Sequence, residues 1–368
     1  MAIMFSAPQV EYELIREEWL NALSHLGEKG VFVGGPSVTD FEESFAAYSG
    51  TAYCVGVNSG TDALYLALKA LEIGPGDEVI APVNTFIATV NAIYHTGAKP
   101  VLVDCGTDYL MDMAQARSLV TARTKAVIPV HLYGQMADMN HLRQWAPDQD
   151  IAIVEDGAQA VGSRMDGRPA GSWGTMGCFS FYPDKNLGAL GDGGAICLSS
   201  QAVTSHLRKL RNHGGEIRYV HEFPGYNSRL DPIQACALKL KLTHIEKWCQ
   251  HRRQVAAWYD EYLDGIEAVT RPALILDGSH SYHLYVIRVV NGQREALKKF
   301  LQKKGILTAI HYPSPIHLTP AYADLGGKQG QFPNAERYAD EILSLPMHIA
   351  MTESLVAKVA EEIRSFFS

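Results

Sequence analysis

The stretch CFSFYPDKNLGALGDGGAI, residues 178–196, places a short apolar run, a lysine and a glycine-rich loop in direct succession. In a mostly parallel sheet, ligands bind beyond the carboxyl ends of the strands, which is where Lys185 would stand. A lysine amine that is desolvated or close to another cation becomes nucleophilic enough to attack a carbonyl. A solvated loop lysine is the simpler alternative, and this segment alone favours it. Other segments therefore decide whether Lys185 is functional.

Seven short apolar runs lie between residues 53 and 198, and lengths of about five residues are typical of strands. The first five are separated by stretches long enough for helices, as in a mostly parallel sheet covered on both faces. We therefore predict an α/β fold with a mostly parallel seven-stranded sheet. The runs are YCVGV, EVIAP, PVLVDC, KAVIPV, IAIVED, CFSFY and GAICLS.

Helical patterns flank the predicted sheet. In SVTDFEESFAAYSG, residues 37–50, Phe41 and Phe45 have helical spacing, and Thr39 and Glu42 have capping-box spacing. We predict a large domain over residues 1–245 and a smaller C-terminal α+β domain over residues 246–368. The further predicted elements are one long helix over 232–263, a strand in YHLYVIRVV (282–290), and helices near 293–304, 334–344 and 352–366.

Composition excludes several classes of protein. The 368 residues carry a formal net charge of −8 without a long basic run, which argues against a nucleic-acid partner. The six cysteines have no CxxC spacing, as expected in a reducing cytoplasm. The sequence has no signal-peptide pattern and no apolar run of about 18 residues, so we expect neither export nor membrane contact.

The segment IAIVEDGAQAVG, residues 151–162, ends an apolar run with Glu155 and Asp156 and continues to Gln159. A carboxylate here suits the pyridine nitrogen of pyridoxal 5'-phosphate, because protonation of that nitrogen makes the ring an electron sink. Two unit charges about 3 Å apart, at an effective dielectric of roughly 20, gain on the order of 5 kcal/mol before desolvation. A helix N-terminal acid stabilised by the macrodipole is the alternative that needs no ligand.

The segment VGVNSGTDALYLALKAL, residues 55–71, runs from a strand through Ser-Gly-Thr into a helix. Free backbone N–H groups at the helix start, those of Gly60 and Thr61, can form a phosphate cradle. Ser59 acting only as the N-cap is the plainer alternative. The GxGxxG fingerprint of dinucleotide binding is absent, which argues against a nicotinamide oxidoreductase.

Two further segments carry weaker signals. Phe86 follows a strand in PVNTFIATVNAI, residues 82–93, where its ring can stack on a flat cofactor, although most such aromatics are core residues. Asn227 and Arg229 lie in a polar turn ahead of a helix, where capping residues are usual. The 14 histidines include no HExxH, so we predict no catalytic metal.

In this order along the chain, the segments resemble the DegT/DnrJ/EryC1/StrS family of pyridoxal-phosphate-dependent sugar aminotransferases, which have the aspartate-aminotransferase (type I) fold. The resemblance implies that Lys185 holds the cofactor as a Schiff base and later moves the proton. It assigns Asp156 to the pyridine nitrogen, Gln159 to the ring oxygen and Phe86 to stacking on the ring. The implied phosphate-binding residues are Gly60, Thr61 and Ser180. The matching phrases are GTDAL, TFIAT, EDGAQA, SFYPDKNLGALGDGGA, GYNSRLDPIQA and HYPSPIHLTPAY.

The resemblance also concerns the assembly and the substrates. In relatives, the residue matching Asn227 reaches the cofactor phosphate of the neighbouring subunit, which implies a homodimer with active sites at the interface. The phrase SFYPxKNLGALGDGG is most similar to enzymes that aminate C3 of a dTDP-linked 3-keto-6-deoxyhexose, with L-glutamate as the implied amino donor. The product would serve glycan synthesis, such as that of a lipopolysaccharide O-antigen. The implied sugar-binding residues are Tyr182, His311 and Tyr312.

Asp184 departs from the neutral residue that is expected before the lysine. We expect its carboxylate to point away from the amine, because a facing carboxylate would favour the ammonium form. A 4-keto or UDP-linked sugar aminotransferase of the same family stays open as an alternative. Sugar dehydratases of the superfamily replace the lysine by histidine, whereas Lys185 is intact. A regulatory protein that keeps only the fold is a remote alternative, since every cofactor-binding position is filled.

Overall fold

A computed structural model describes residues 2–273 and 278–368. Among these residues, no helix is long and apolar enough to cross a membrane. The α-helices are α1 (Pro8–Lys29), α2 (Pro36–Tyr48), α3 (Gly60–Ala70), α4 (Ile87–Thr96), α5 (Met113–Ser118), α6 (Met139–Arg143), α7 (Gln201–Leu210), α8 (Pro232–Leu242), α9 (Ile245–Tyr262), α10 (Arg294–Lys303), α11 (Pro333–Glu341) and α12 (Glu353–Phe367). The strands are β1 (Tyr53–Val57), β2 (Glu78–Pro82), β3 (Lys99–Val103), β4 (Thr124–Val127), β5 (Ala152–Asp156), β6 (Arg164–Met165), β7 (Arg168–Pro169), β8 (Met176–Ser180), β9 (Gly194–Leu198), β10 (Val269–Thr270), β11 (Gly278–Ser279), β12 (Tyr285–Val289) and β13 (Ile342–Leu345).

The large sheet contains seven strands in the order β1-β9-β8-β5-β4-β2-β3. Strand β9 is antiparallel to both of its neighbours, whereas the pairs from β8 through β5, β4 and β2 to β3 are parallel. Each predicted apolar run forms one of these strands. The predicted α/β fold with a mostly parallel seven-stranded sheet is therefore confirmed.

Helices cover both faces of this sheet, which explains why its strands are mainly apolar. On one face, Leu64 and Leu68 of α3 belong to the same buried cluster as Cys178 of β8. On the other face, Phe45 of α2 packs edge-on against Phe179 of β8, with ring centroids 5.1 Å apart. Cys178 and Phe179, which are adjacent in β8, therefore pack into the cores on opposite faces of the sheet, as the alternation of side chains along a strand requires.

The predicted capping box at the start of α2 is wrong. The N-cap is Gly35, and no side chain caps the helix. Glu42 is instead buried, where its carboxylate accepts a hydrogen bond from the N–H of Gly56 at 2.8 Å and pairs with Arg211. A tertiary ion pair therefore uses the carboxylate that local spacing had assigned to the helix end.

Two helix boundaries in the C-terminal part also differ from the predictions. Residues 232–263 form two helices because α8 packs on α1 and α2, whereas α9 packs on α12. The helix predicted over 334–344 ends at Glu341, and β13 follows directly. All four residues of β13 are buried and pair with β12. Sheet pairing therefore overrides the helical pattern at this point.

A second, antiparallel sheet has the order β10-β12-β13, and a small third sheet joins β11, β6 and β7. The core around the second sheet combines residues of α9, α10 and α12 with Ile3 from the N-terminal segment. Helix α9 contributes Val255 to this core and Cys249 to the core of the large sheet. The predicted domain boundary after residue 245 falls at the start of this shared helix and stays a prediction.

Candidate active site

A cavity of about 410 Å³ lies beyond the carboxyl ends of β5 and β8. His283 and Met347 from the C-terminal part help to enclose it. The structure brings ten predicted site residues together around this cavity, although their individual roles stay predictions. The ten residues are Gly60, Thr61, Phe86, Asp156, Gln159, Ser180, Tyr182, Lys185, His311 and Tyr312.

The start of α3 forms one end of the cavity. Ser59 is the N-cap, and its hydroxyl accepts a hydrogen bond from the N–H of Asp62 at 3.1 Å. A Cβ placed on Gly60 would lie 2.5 Å from the Cβ of Ser180, so a glycine is needed where the helix approaches the end of β8. The first N–H groups of a helix have no partner within it, and together with the Ser180 hydroxyl they fit a phosphate group.

Lys185 follows β8 through a tight turn, in which its N–H donates to the carbonyl of Tyr182 at 2.9 Å. Burial lowers the pKa of the Lys185 amine to about 8, while the carboxylates of Asp156 and then Asp184 act in the opposite direction. A substantial fraction of the amine is therefore unprotonated slightly above neutral pH. This ionisation suits a lysine that forms a Schiff base.

Asp156 is the last residue of β5 and is almost completely buried. One carboxylate oxygen accepts a hydrogen bond from the hydroxyl of Thr89 at 2.7 Å, and the other accepts from the N–H of Ala158 at 3.1 Å. Burial raises the pKa of the carboxyl, whereas these hydrogen bonds and the charge of Lys185 lower it. Such a carboxylate fits the protonated pyridine nitrogen of the cofactor.

Glu155 precedes Asp156 and has a different role. Its fully buried carboxylate lies 2.9 Å from Nε2 of His131 and also accepts hydrogen bonds from three backbone N–H groups. Asp156 lines the cavity, whereas Glu155 does not. Of the two carboxylates at this strand end, Glu155 therefore holds the surrounding loops together. The three N–H donors belong to Gly171, Trp173 and Gly174.

Gln159 links the predicted cofactor residues to the predicted sugar residues. Its Oε1 accepts a hydrogen bond from the N–H of Tyr133 at 2.6 Å, and its Nε2 donates to the hydroxyl of Tyr312 at 3.1 Å. The hydroxyl of Tyr133 in turn donates to the carbonyl of His311. An amide nitrogen carries two hydrogens, so Gln159 keeps one donor for the ring oxygen of a cofactor.

Aromatic rings form the wall opposite these polar groups. The rings of Phe86 and Tyr312 have centroids 5.4 Å apart, and Phe86 is half exposed, so it is not a core residue. His311 stacks on Phe5 at 5.6 Å, and its Nδ1 lies 2.8 Å from the hydroxyl of Ser344. Burial, followed by the charge of Lys185, lowers the pKa of His311 to about 4. The imidazole is therefore neutral at physiological pH.

The expectation that Asp184 points away from the amine stays a prediction, since its carboxylate makes no ion pair with Lys185 among the described residues. Asp184 is one of the residues that line the cavity, and its charge raises the pKa of Lys185. The hydroxyl of Ser6 donates to this carboxylate at 2.9 Å. The N-terminal segment thus holds Asp184 at the cavity, a contact across the chain that local sequence patterns do not reveal.

Asn227 is the predicted site residue that this chain does not bring to its own cavity. It is exposed, does not line the cavity and forms a bridge with Asn212. Arg229 donates to the side-chain oxygen of Asn212 at 2.7 Å. The turn is thus well ordered, and Asn227 stays available on the surface.

Sequence reasoning missed several residues of the cavity wall. Phe5, Thr85 and His283 line the cavity without having been predicted. Thr85 directly precedes Phe86, so its position after a strand was the signal that could have found it. Phe5 and His283 do not follow a strand of the large sheet and had no such signal. Nδ1 of His283 has no hydrogen-bond partner within the described ranges.

Similarity to a known protein family identifies the class of protein that this cavity characterises. The model of the DegT/DnrJ/EryC1/StrS aminotransferase family matches residues 13–364. The chain belongs to the DegT/DnrJ/EryC1/StrS aminotransferase family. Enzymes of this family depend on pyridoxal 5'-phosphate, and solved relatives include a form that contains it. The chain is therefore a pyridoxal-phosphate-dependent sugar aminotransferase.

Members of this DegT family with different substrates are about equally similar to the chain. The dTDP-3-amino-3,4,6-trideoxy-alpha-D-glucose transaminase of Streptomyces venezuelae is 42% identical, over 96% of this chain and 93% of the relative. The UDP-N-acetyl-3-dehydro-alpha-D-glucosamine 3-aminotransferase of Acidithiobacillus ferrooxidans is also 42% identical, over 95% and 94%. The crystal structure of DesV from S. venezuelae superposes with a TM-score of 0.97 at 41% identity, covering 100% of this chain and 99% of DesV.

Proposed function

We propose that this aminotransferase transfers the amino group of L-glutamate to C3 of a dTDP-linked 3-keto-6-deoxyhexose, giving 2-oxoglutarate and a 3-amino sugar. The observation that carries the proposal is the meeting of the Lys185 amine, the Asp156 carboxylate and the cradle at Gly60 around one cavity. The similarity to the S. venezuelae transaminase supports a 3-amino product. The amino sugar would enter a glycan such as a lipopolysaccharide O-antigen.

Each polar group of the cavity has a part in this chemistry. The bound cofactor would supply an electron sink and carry the amino group between the two substrates. Lys185 would hold the cofactor and, once released, take the proton from the α carbon of the amino donor. Asp156 would keep the pyridine nitrogen protonated. The N–H of Gly60 and the hydroxyl of Ser180 would bind the phosphate.

The aromatic wall is the proposed sugar site. Tyr182 is half exposed at the cavity, so its ring and hydroxyl are available to a ligand. The imidazole of His311 is neutral. Its Nδ1 is hydrogen-bonded to the hydroxyl of Ser344, so Nε2 remains available for a hydrogen bond with a sugar oxygen. Tyr312 is fixed by Gln159 and offers its ring face. Neutral hydrogen-bonding groups beside aromatic rings suit an uncharged sugar.

Absorbance spectroscopy of the protein with pyridoxal 5'-phosphate tests the proposal. We expect a band from the lysine-bound cofactor that L-glutamate bleaches and a dTDP-3-keto-6-deoxyhexose restores. The variant Lys185→Ala should lack the band and turnover. A wild-type protein without the band, or normal turnover by Lys185→Ala, would refute the assignment of Lys185.

A UDP-linked 3-keto sugar is the second candidate, because the relative from A. ferrooxidans is as similar as the dTDP-sugar enzyme. The two candidate substrates differ in the nucleotide, in the substituent at C2 of the sugar and in the hydroxyl at C6, which only the UDP-linked sugar carries. Restoration of the bleached band by the UDP sugar alone would select this candidate. Restoration by a 4-keto sugar alone would move the amination to C4.

We further propose a homodimer in which Asn227 of each chain completes the site of its neighbour. Asn227 is exposed outside its own cavity, and Ile217 and Tyr219 nearby in sequence are highly exposed. Exposed apolar side chains of this kind are typical of a surface that a partner covers.

All six cysteines are unpaired, which supports the proposal of a cytoplasmic enzyme.

A further inference from the structure

Two threonine hydroxyls connect Asp156 to the cavity. Thr89 lies in the first turn of α4 and is completely buried. Its Oγ1 lies 2.7 Å from Oδ2 of Asp156 and 2.7 Å from Oγ1 of Thr85. Thr85 lines the cavity. The three side chains therefore form a continuous chain of hydrogen bonds from the wall of the cavity to the buried carboxylate.

The chemistry of the groups fixes the direction of this chain. An ionised carboxylate only accepts hydrogen bonds, so Thr89 donates its single hydrogen to Asp156. The contact between the two threonines then requires Thr85 to donate to Thr89. Thr85 has no second hydrogen, and its oxygen can only accept a hydrogen bond from the cavity.

We propose that Thr85 and Thr89 form a hydroxyl relay that fixes the orientation and the negative charge of Asp156. Thr89 is thus a positioning residue that acts on the cofactor through Asp156, and Thr85 acts through Thr89. The inference rests on the proposed contact between Asp156 and the pyridine nitrogen. It adds two residues of this chain to the machinery that keeps this nitrogen protonated.

The surroundings of Asp156 explain why the relay is needed. Burial outweighs the other influences and raises the pKa of Asp156, and the hydrogen bond from Thr89 is the largest of the influences that lower it. The N–H of Ala158 and the charge of Lys185 also lower the pKa. The other titratable groups that face Asp156 are His131, which lowers its pKa, and Tyr312 and Cys178, whose own pKa values its charge raises.

The test compares the variants Thr89→Val and Thr89→Ser in two measurements on cofactor binding. The first is the affinity of the apo-protein for pyridoxal 5'-phosphate, and the second is the pH titration of the absorbance of the bound cofactor. Thr89→Val removes the hydrogen bond that lowers the pKa of Asp156 and fixes its orientation, so it should weaken cofactor binding on the order of tenfold, the equivalent of about one pKa unit, and shift the titration. Thr89→Ser keeps the hydroxyl and should stay close to the wild type.

A matched control is available on the same helix. Thr96 is also buried, and its hydroxyl donates to the carbonyl of Ile93 at 2.7 Å, away from Asp156. The same hydroxyl accepts a hydrogen bond from the N–H of Ala98 at 3.2 Å, so Thr96→Val, like Thr89→Val, removes one donated and one accepted hydrogen bond, and it should leave affinity and titration unchanged. Thermal unfolding of both apo-variants separates a general loss of stability from an effect on the cofactor.

The direction of the relay adds a sharper criterion. Because Thr85 acts through Thr89, the double variant Thr85→Val/Thr89→Val should bind the cofactor no more weakly than Thr89→Val. Additive effects, or a Thr89→Val variant that behaves like Thr96→Val, would overturn the relay. Asp156→Asn separates the two levels of the hypothesis: if it leaves the titration unchanged, the proposed role of Asp156 fails and the relay fails with it.

Discussion

The ionisation of Lys185 sets the pH range in which the apo-protein captures its cofactor. The free amine attacks a carbonyl and the ammonium does not, so the reactive fraction increases as the pH rises through the pKa of about 8. We expect the absorbance band of the lysine-bound cofactor to form faster as the pH rises around this value. Stopped-flow absorbance of the apo-protein mixed with pyridoxal 5'-phosphate measures it.

Asp184 provides the specific test of this prediction. Its negative charge raises the pKa of Lys185, so Asp184→Asn should lower that pKa and move the rate profile to lower pH. Asp192→Asn is the matched control, since Asp192 is another exposed carboxylate of the cavity wall that does not shift Lys185. An unchanged profile for Asp184→Asn, or a shift to higher pH, would contradict the assigned cause.

The residues of the site differ in how visible they are in the sequence. Lys185 and Asp156 could be predicted because each follows or ends an apolar strand, which is a local property. Thr89 and Ser6 could not, because their partners Asp156 and Asp184 are distant along the chain. Contacts of this kind depend on the packing of whole elements, and single-sequence patterns do not contain that information.

Strands were the most predictable elements. The large sheet is buried on both faces, so each strand is an apolar run that length alone separates from a helix. The boundaries of α8, α9 and α11 were less predictable. Buried pairing of β13 with β12 and the different packing partners of α8 and α9 set these boundaries. Tertiary contacts therefore set these helix boundaries, and the local sequence pattern did not.

Helices α1 and α8 are joined by a buried ion pair whose disruption has a predictable cost. The amine of Lys241 is completely buried and lies 3.1 Å from the carboxylate of Glu11. Lys241→Met leaves the Glu11 charge buried, which should reduce the free energy of unfolding by about 3–5 kcal/mol. Denaturant unfolding of the apo-protein near neutral pH measures the loss.

Two comparisons isolate the cause of this loss. Burial already raises the pKa of Glu11, and without Lys241 the folded state binds its proton more tightly still. A raised carboxyl pKa favours the folded state at low pH, so the deficit of Lys241→Met should shrink as the pH falls and when Glu11→Gln is added. Lys239→Met, which breaks the exposed pair with Asp40, should cost less than about 1 kcal/mol. Equal losses for the two lysine variants would argue against a special role of the buried pair.

At the scale of the assembly, mixed subunits test whether sites are shared. A Lys185→Ala chain and an Asn227→Ala chain are each expected to have low activity. If Asn227 serves the neighbouring site, a hybrid dimer contains one site with both residues intact. Mixing the two variants under exchange conditions should therefore restore activity in a turnover assay. Mixtures that stay as inactive as the separate variants would contradict a shared site.

The fold class of the whole molecule was predictable from the sequence. The contacts between segments that are distant along the chain were less predictable. Alternating strands and helices indicated the large sheet, because that alternation needs only local patterns. The N-terminal segment had no signal that tied it to the C-terminal part. Its N–H at Ile3 donates to the carbonyl of Gly305 at 2.8 Å, and its carbonyl accepts from Leu307 at 3.0 Å.

This connection has a consequence for synthesis on the ribosome. Ile3 leaves the exit tunnel long before its partners Gly305 and Leu307 have been translated. Domains generally fold as they emerge, so the large sheet can assemble while the opening segment still lacks its partners. We expect Phe5 and Ser6 to reach the cavity only after Gly305 and Leu307 have emerged. We therefore expect a newly made chain to become competent for catalysis only after the segment that contains Leu307 has emerged.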